Sequence, residues 1–524
     1  MTENLPVLGV SSIDELFEGR TRDRLERDVL TRYLPRQRWF SSKARVLTGT
    51  RILDHGRLGR TALPVLTVVI VDYEGGGQER YSVPLALATG ETADALSSAP
   101  SGPAMAWLDV EGRTLLIDGL AGDDSCAQLV SAIDDSSSAS TVEHPMAHGM
   151  VRADRDRVPL FGPSTDVASV RRTGAEQSNS SIVVGSSAIL KMYRKLEAGV
   201  HPELEIGRYL WTHGFTDVPQ VLASLEYLRD GEQVALAVLH ALVANAQDGW
   251  QHALANVRAF YARRDISGPA MANTADAVGT FLDAARILGD QTGQLHRTLA
   301  AASDPAMAPE PLTPNELTAV ASGARVRADR VFGQLAQARR SAASPARERI
   351  DSLFDRRSDL TKQLDTLVSS PIRADKTRCH QDFHLGQVLW TGHRYALLDF
   401  EGEPLRPLAE RRTKRSPLTD VAGMLRSYSY AAWSGLFEHA ADRGVDPVTL
   451  EPEAREWESA VAGVFLTAYH DATTEASFVP GDPSGRERLL RLLMIDKALY
   501  ELEYELNNRP GWILVPVEGL IRLM

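Results

Sequence analysis

Asp382 and Gln387, five positions apart in the loop Cys379-His380-Gln381-Asp382-Phe383-His384-Leu385-Gly386-Gln387, precede an apolar run, Tyr395-Ala396-Leu397-Leu398, that ends in Asp399. One carboxylate on a short loop, an amide just beyond it and a second carboxylate delivered by a strand are the parts that phosphoryl transfer requires. In that chemistry Asp382 accepts the proton of the attacking hydroxyl, while Gln387 and Asp399 hold magnesium against nucleotide phosphates. The run Ser187-Ala188-Ile189-Leu190-Lys191-Met192-Tyr193 sets Lys191 in an apolar strand, from which it can reach the α and β phosphates. Glu205, in the helix that follows, is spaced to pair with Lys191 and fix its rotamer. Singly, each of the two is as readily a surface residue; their order upstream of Asp382 favours the chemical reading. The polar turn Ala175 to Ser181 contains Gln177, Ser178, Asn179 and Ser180, whose backbone N–H groups and hydroxyls could cradle phosphate oxygens in ATP. An ordinary hairpin turn accounts for the same composition, and no Walker-type lysine separates the two readings.

These groups need scaffolds. Residues 1–100 alternate β-type runs, such as Leu63 to Val71 and Arg80 to Leu85, with the turn Gly75-Gly76-Gly77, which predicts a strand-rich unit. Residues 101–165 read as an intermediate subdomain that includes a Ser/Asp/Ala-rich surface excursion between Asp134 and Thr141. Residues 166–245 return to strands, with one amphipathic helix between His201 and His213, as expected of a nucleotide-holding lobe. Residues 246–524 are dominated by helix formers and interrupted by the Pro-rich segment Asp304 to Pro314, so a helical lobe carries the 379–387 loop.

Within that lobe, Leu489, Leu492, Leu493, Ala498, Leu499 and Leu502 mark the buried side of a helix over Arg488 to Leu506. Asp496, Tyr500, Glu503 and Tyr504 recur on another face, and Arg509 and Trp512 follow it. Carboxylates, amides and an aromatic platform are what a sugar site uses, and a solvated helix face stopped by Pro510 is the alternative. Asp420 either anchors the 379–387 loop by hydrogen bonds or caps the helix that begins at Val421. His380 and His384 flank Asp382 beside Cys379 without the paired spacing of a zinc site, so loop hydrogen bonding is the better reading.

Composition narrows the class. Of 524 residues, 57 are basic and 69 acidic, and the net charge of −12 disfavours nucleic acid as the main partner. A small neutral or cationic substrate suits it better. Two cysteines cannot form a disulfide framework, no basic segment followed by an apolar run opens the chain, and no apolar run is long enough for a bilayer. The expectation is a cytoplasmic protein with no membrane association.

Six segments together resemble bacterial maltokinases: Ala175 to Ile182, Ile189-Leu190-Lys191, His384 to Leu389, Asp399-Phe400-Glu401-Gly402-Glu403-Pro404, Ser416 to Gly423, and Asn508-Arg509-Pro510-Gly511-Trp512. Leu34-Pro35-Arg36-Gln37-Arg38-Trp39-Phe40 is similar to the start of the cap domain of that family and of maltokinase modules fused to trehalose synthase. The resemblance implies an α+β, bilobal protein-kinase-like fold of the aminoglycoside-phosphotransferase type with a strand-rich N-terminal cap. It also implies ATP- and magnesium-dependent phosphorylation of maltose at its anomeric hydroxyl, with trehalose synthase or a glucan-building enzyme as a possible partner. Under it, Asp382 is the catalytic carboxylate, Gln387 and Asp399 are metal ligands, and Lys191 with Glu205 orients the nucleotide. Glu401 or Glu403 then supports metal or sugar, and Gln381, His384, Asp496, Tyr500, Glu503, Tyr504, Arg509 and Trp512 are the sugar candidates. One departure stands out: maltokinases of this pattern carry glycine where this chain has Gln381. The related glucosamine kinases are the alternative, since an acidic, amide-rich pocket suits a protonated amino group. A non-catalytic scaffold would have been expected to lose Lys191, Asp382 or Asp399, and all three are present.

Overall fold

The structure, a computed structural model, describes residues 5–59, 63–98, 102–109, 114–134, 139–158, 160–161, 169–173, 178–267, 274–341, 344–404 and 406–524. The chain forms two compact units: Met1–Arg208 with Pro219–Ala244 and Pro404–Ala409, and Tyr209–Val218 with Asn245–Glu403 and Glu410–Met524. Among the described residues, no helix is long and apolar enough to cross a membrane.

The first unit holds two sheets. At the centre of one is Val65–Tyr73, a β-branched run buried on both faces, flanked by Leu47–Arg57, Gln78–Ser82 and Leu85–Thr89. Ala104–Leu108 and Thr114–Asp118 extend the same sheet beyond Leu85–Thr89. The second sheet runs in the order Val170–Arg172, Asn179–Val184, Ala188–Tyr193, Glu232–Ala241, Val221–Arg229, Met150–Arg155, Thr141–Pro145. Residues 101–165, expected as one intermediate subdomain, are therefore shared between the two sheets. Thr114–Asp118 pairs with Leu85–Thr89 and carries Ala104–Leu108 on its other edge, while Met150–Arg155 pairs with Val221–Arg229 and carries Thr141–Pro145. Of the Asp134 to Thr141 excursion, 135–138 lie outside the described residues.

Arg194 joins the two sheets. It follows the strand Ala188–Tyr193, and the next two residues, Lys195 and Leu196, pair with Tyr81 and Arg80 of the first sheet. Its side chain is 2% exposed, ion-paired to Asp118 at 2.9 Å, donating to Ser180 Oγ at 2.8 Å and lying 4.6 Å from the Trp39 ring centroid. Tyr33 donates to the same Asp118 carboxylate at 2.9 Å. Helix α1 (Pro202–Thr212) begins with proline at its first position, where no backbone donor is needed, and carries Glu203 and Glu205 in its first turn.

The second unit is built from α2 (Gly249–Ser267), α3 (Phe281–Ala300), α4 (Pro314–Ser341), α5 (Leu418–Arg443), α6 (Glu451–Ala472) and α7 (Pro483–Asn508). Asp482 caps α7 by accepting from the Ser484 and Gly485 N–H groups, and Pro483 opens it. A small sheet of Gln247–Asp248, Val388–Trp390 and Tyr395–Leu397 sits among the helices. Gln291 of α3 pins its last strand, donating to the Tyr395 carbonyl at 2.8 Å and accepting from the Tyr395 N–H at 3.0 Å. The 379–387 loop lies against α5 at Gly423, where a Cβ atom would come within 2.5 Å of the Phe383 carbonyl oxygen.

Removing the buried cation tests the clamp between the sheets. Arg194→Met strands the Asp118 carboxylate and is expected to cost about 3–5 kcal/mol. The urea midpoint of the full chain reads this; an unchanged midpoint rules the clamp out.

Candidate active site

In the first unit, Lys191 is 8% exposed in the middle of its sheet, between Ser181 and Val238. Its ammonium meets Glu203 Oε2 at 3.1 Å, Tyr193 donates to the same oxygen at 2.7 Å, and His240 Nε2 lies 3.1 Å from Glu203 Oε1. Burial pushes the Glu203 carboxyl up, but Lys191 and His240 more than offset it and hold the group well below the usual carboxylate range. The partner expected from the sequence was Glu205. The structure pairs Lys191 with Glu203, which is buried, and Glu205 lies two residues further along α1, half-buried. Asn179 and Ser180 open the strand Asn179–Val184 opposite Tyr193 and Met192, with Ser178 just before it, and Gln177 lies outside the described residues.

In the second unit, Asp420 fixes the 379–387 loop. Its carboxylate accepts from the His380 N–H and the Gln381 N–H, each at 2.7 Å, and from His296 Nε2 at 3.1 Å. His296 is oriented in turn by Tyr469, 3.0 Å from Nδ1. His380 donates from Nε2 to the Leu398 carbonyl at 2.7 Å, which ties the loop to the strand that leads to Asp399. Gln381 is held at φ +67° and Asp399 at φ +64°, in the left-handed region. Gln387 Nε2 donates to Asp399 Oδ2 at 3.0 Å, so a side-chain amide and a carboxylate stand together. Hard oxygen donors of this kind fit magnesium.

A cavity of about 430 Å³ opens beside Asp382. Of the sugar candidates, His384, Glu403, Tyr500, Tyr504, Arg509 and Trp512 line it. Gln381, Glu401, Asp496 and Glu503 do not. The Gln381 amide donates to the Arg411 and Thr413 carbonyls at 3.0 and 2.9 Å and accepts from Arg415, which makes it a brace for the loop. Glu401 is buried 3.7 Å from Arg411. Asp496 pairs with Arg327 and Glu503 with Arg330, both on α4.

The wall of the cavity on α7 is Lys497, Tyr500, Glu501, Tyr504 and Glu505, a complete i, i+3, i+4, i+7, i+8 stripe. The sequence reading chose a stripe shifted by one residue and so missed Lys497, Glu501 and Glu505, although the pattern was there to find. Tyr430 of α5 and Trp250 of α2 also line the cavity. They come from distant segments that carry no local signal. Tyr500 donates to Glu403 at 2.8 Å, Tyr430 to Glu505 at 3.1 Å, and Trp512 stacks on Tyr430 with centroids 6.5 Å apart. Lys497 Nζ lies 3.8 Å from Asp382 Oδ1, and His384 Nε2 lies 3.9 Å from Asp382 Oδ2. Desolvation pushes the His384 imidazole down, so it is neutral at pH 7.

Residues 169–457, more than half of the chain, match the phosphotransferase enzyme family. The chain belongs to that family. Residues 33–121 match the maltokinase N-terminal cap domain. The phosphotransferase is similar to a glucosamine kinase of Streptacidiphilus jiangxiensis, 29% identical over 368 residues that make up 70% of this chain and 75% of the relative. A glucosamine kinase of Mycolicibacterium smegmatis is 28% identical over 355 residues, 67% of this chain and 78% of the relative. Among solved structures, a glucosamine kinase in crystal form B superposes with a TM-score of 0.63 at 23% identity, over 93% of this chain and 97% of that one. A glucosamine kinase in complex with glucosamine, ADP and inorganic phosphate gives 0.60 at 22% identity, over 92% and 96%. These likenesses show that the chain shares the fold of those glucosamine kinases.

The phosphotransferase's loop anchor carries a pH signature. Burial alone would raise the Asp420 carboxyl; the His296 hydrogen bond, the neighbouring histidines and the His380 N–H hold it below its ordinary value instead. A carboxyl depressed on folding contributes stability above its unfolded pKa of about 3.9 and loses it as pH falls through the folded value. Asp420→Asn is therefore expected to be about 2–4 kcal/mol less stable than wild type at pH 7, with the gap narrowing below about pH 4. Urea unfolding at stepped pH reads this; a gap constant down to pH 3 overturns it.

Proposed function

We propose that the chain is an ATP- and magnesium-dependent sugar kinase whose acceptor is an amino sugar of the glucosamine type. The carrying observation is the charge of the cavity at Asp382: Asp382, Glu403, Glu501 and Glu505 against Lys497 and Arg509, with tyrosine and tryptophan faces between them. Carboxylates and aromatic faces around a small cavity suit a hydroxylated cation. The relatives named as glucosamine kinases support the same choice. Asp382 takes the acceptor proton, and Lys191, held by Glu203, meets the nucleotide phosphates. Magnesium held by Gln387 and Asp399 supplies charge neutralisation for the transferring group. Maltose is the second reading, favoured by the maltokinase cap match at 33–121.

A phosphorylation screen with ATP over glucosamine, glucose and maltose, with the product position read by NMR, decides between them. Glucosamine is expected to be turned over at least ~10-fold more efficiently than the others, the range one well-placed polar contact can supply. Maltose as the preferred acceptor would reverse the assignment. Asp382→Asn is expected to lower kcat by roughly 10²–10⁴ while leaving ATP affinity nearly unchanged, and full turnover by this variant removes the assigned chemistry.

A further inference from the structure

Helix α7 carries Lys497, Glu501 and Glu505 at four-residue steps, so they follow one another along one wall of the cavity at about 6 Å intervals. Their side chains are engaged very differently. Glu505 accepts from Arg509 Nε at 3.0 Å, Arg509 Nη2 at 2.6 Å and the Tyr430 hydroxyl. Glu501 accepts from the buried Arg426 at 2.9 Å. Lys497 is the exception. Its nearest counter-charge, Asp382 Oδ1, is 3.8 Å away, beyond hydrogen-bond range, and among the described residues no group accepts a hydrogen bond from it. Its ammonium lies 5.1 Å from the Tyr500 ring centroid. Asp382, Glu501 and Glu403 keep it protonated in spite of desolvation. Three donors thus face the cavity at its reacting end, with nothing from the protein to receive them.

We propose that Lys497 is an acceptor-orienting residue: it donates to a sugar oxygen beside the reacting hydroxyl and turns a substrate ammonium away from Asp382, toward the carboxylates further along α7. This rests on the amino-sugar reading above. Without Lys497, the carboxylates of Asp382 and Glu403 attract the ammonium to the reacting end, and an amino sugar binds reversed, tightly and without reacting. A neutral sugar has no such pull and only loses a donor.

Titration calorimetry and initial rates on the full chain, with glucosamine and glucose as probes, separate these effects. Lys497→Met is expected to bind glucosamine about 5- to 10-fold more tightly, with kcat falling by a similar factor, and to bind glucose several-fold more weakly. Lys497→Arg, which keeps the charge, is expected to retain the wild-type order. If Lys497→Met does not fold, Lys497→Gln gives the same comparison. Affinities for both sugars moving in the same direction, or not moving, overturn the proposal. Wild-type protein that binds glucosamine without turning it over overturns the amino-sugar kinase reading alone, and wild-type protein that binds neither sugar overturns both.

Discussion

The second unit is organised around one buried carboxylate. Asp420 is 1% exposed, and both of its oxygens are committed to the backbone of the 379–387 loop and to His296. Hydrogen bonds to a charged acceptor in a low-dielectric interior are about twice as strong as neutral ones. That strength is what lets the loop hold Gln381 in a left-handed conformation, which costs a non-glycine residue about 1–2 kcal/mol. The next residue is Asp382, so the course of the backbone at that carboxylate is set by a group some forty residues further along the chain. Gly423, three residues beyond Asp420 on α5, keeps the helix close enough for the contact to form.

Much of this was legible in the sequence because it is local. A lysine in an apolar strand, a carboxylate and an amide five apart, and an apolar run ending in aspartate all appear where their letters placed them. The strand-rich start and the helix-rich remainder followed from composition and periodicity, whereas the cap was read from the family resemblance. The errors arose where a choice depended on rotation about a helix axis. Glu203 and Glu205 both lie in the first turn of α1, and the more deeply buried Glu203 pairs with Lys191. On α7, leucines at 489, 492, 499 and 502 fix the buried side, but the remaining circumference is divided between α4 and the cavity. Arg327 and Arg330, some 170 residues away in sequence, claim Asp496 and Glu503 for the α4 side.

Gln381 offsets the strain of its own backbone locally. A glycine would adopt φ +67° without strain, and the glutamine pays that strain back through three side-chain hydrogen bonds to the 411–415 segment. Its amide is engaged by those contacts and does not line the cavity, so the residue braces the loop. Acceptor choice must then be sought elsewhere.

The cavity itself offers the place. Each of its carboxylates except one is already answered: Glu501 by Arg426, Glu505 by Arg509 and Tyr430, Glu403 by Tyr500. Pairing of this kind offsets the cost of bringing several like charges together around one cavity. Asp382 is the exception, flanked by Lys497 and a neutral His384 at distances too long for hydrogen bonds. Among the cavity's carboxylates Asp382 is therefore the one the protein leaves least satisfied, and a hydroxyl that enters the cavity gains most by hydrogen bonding there.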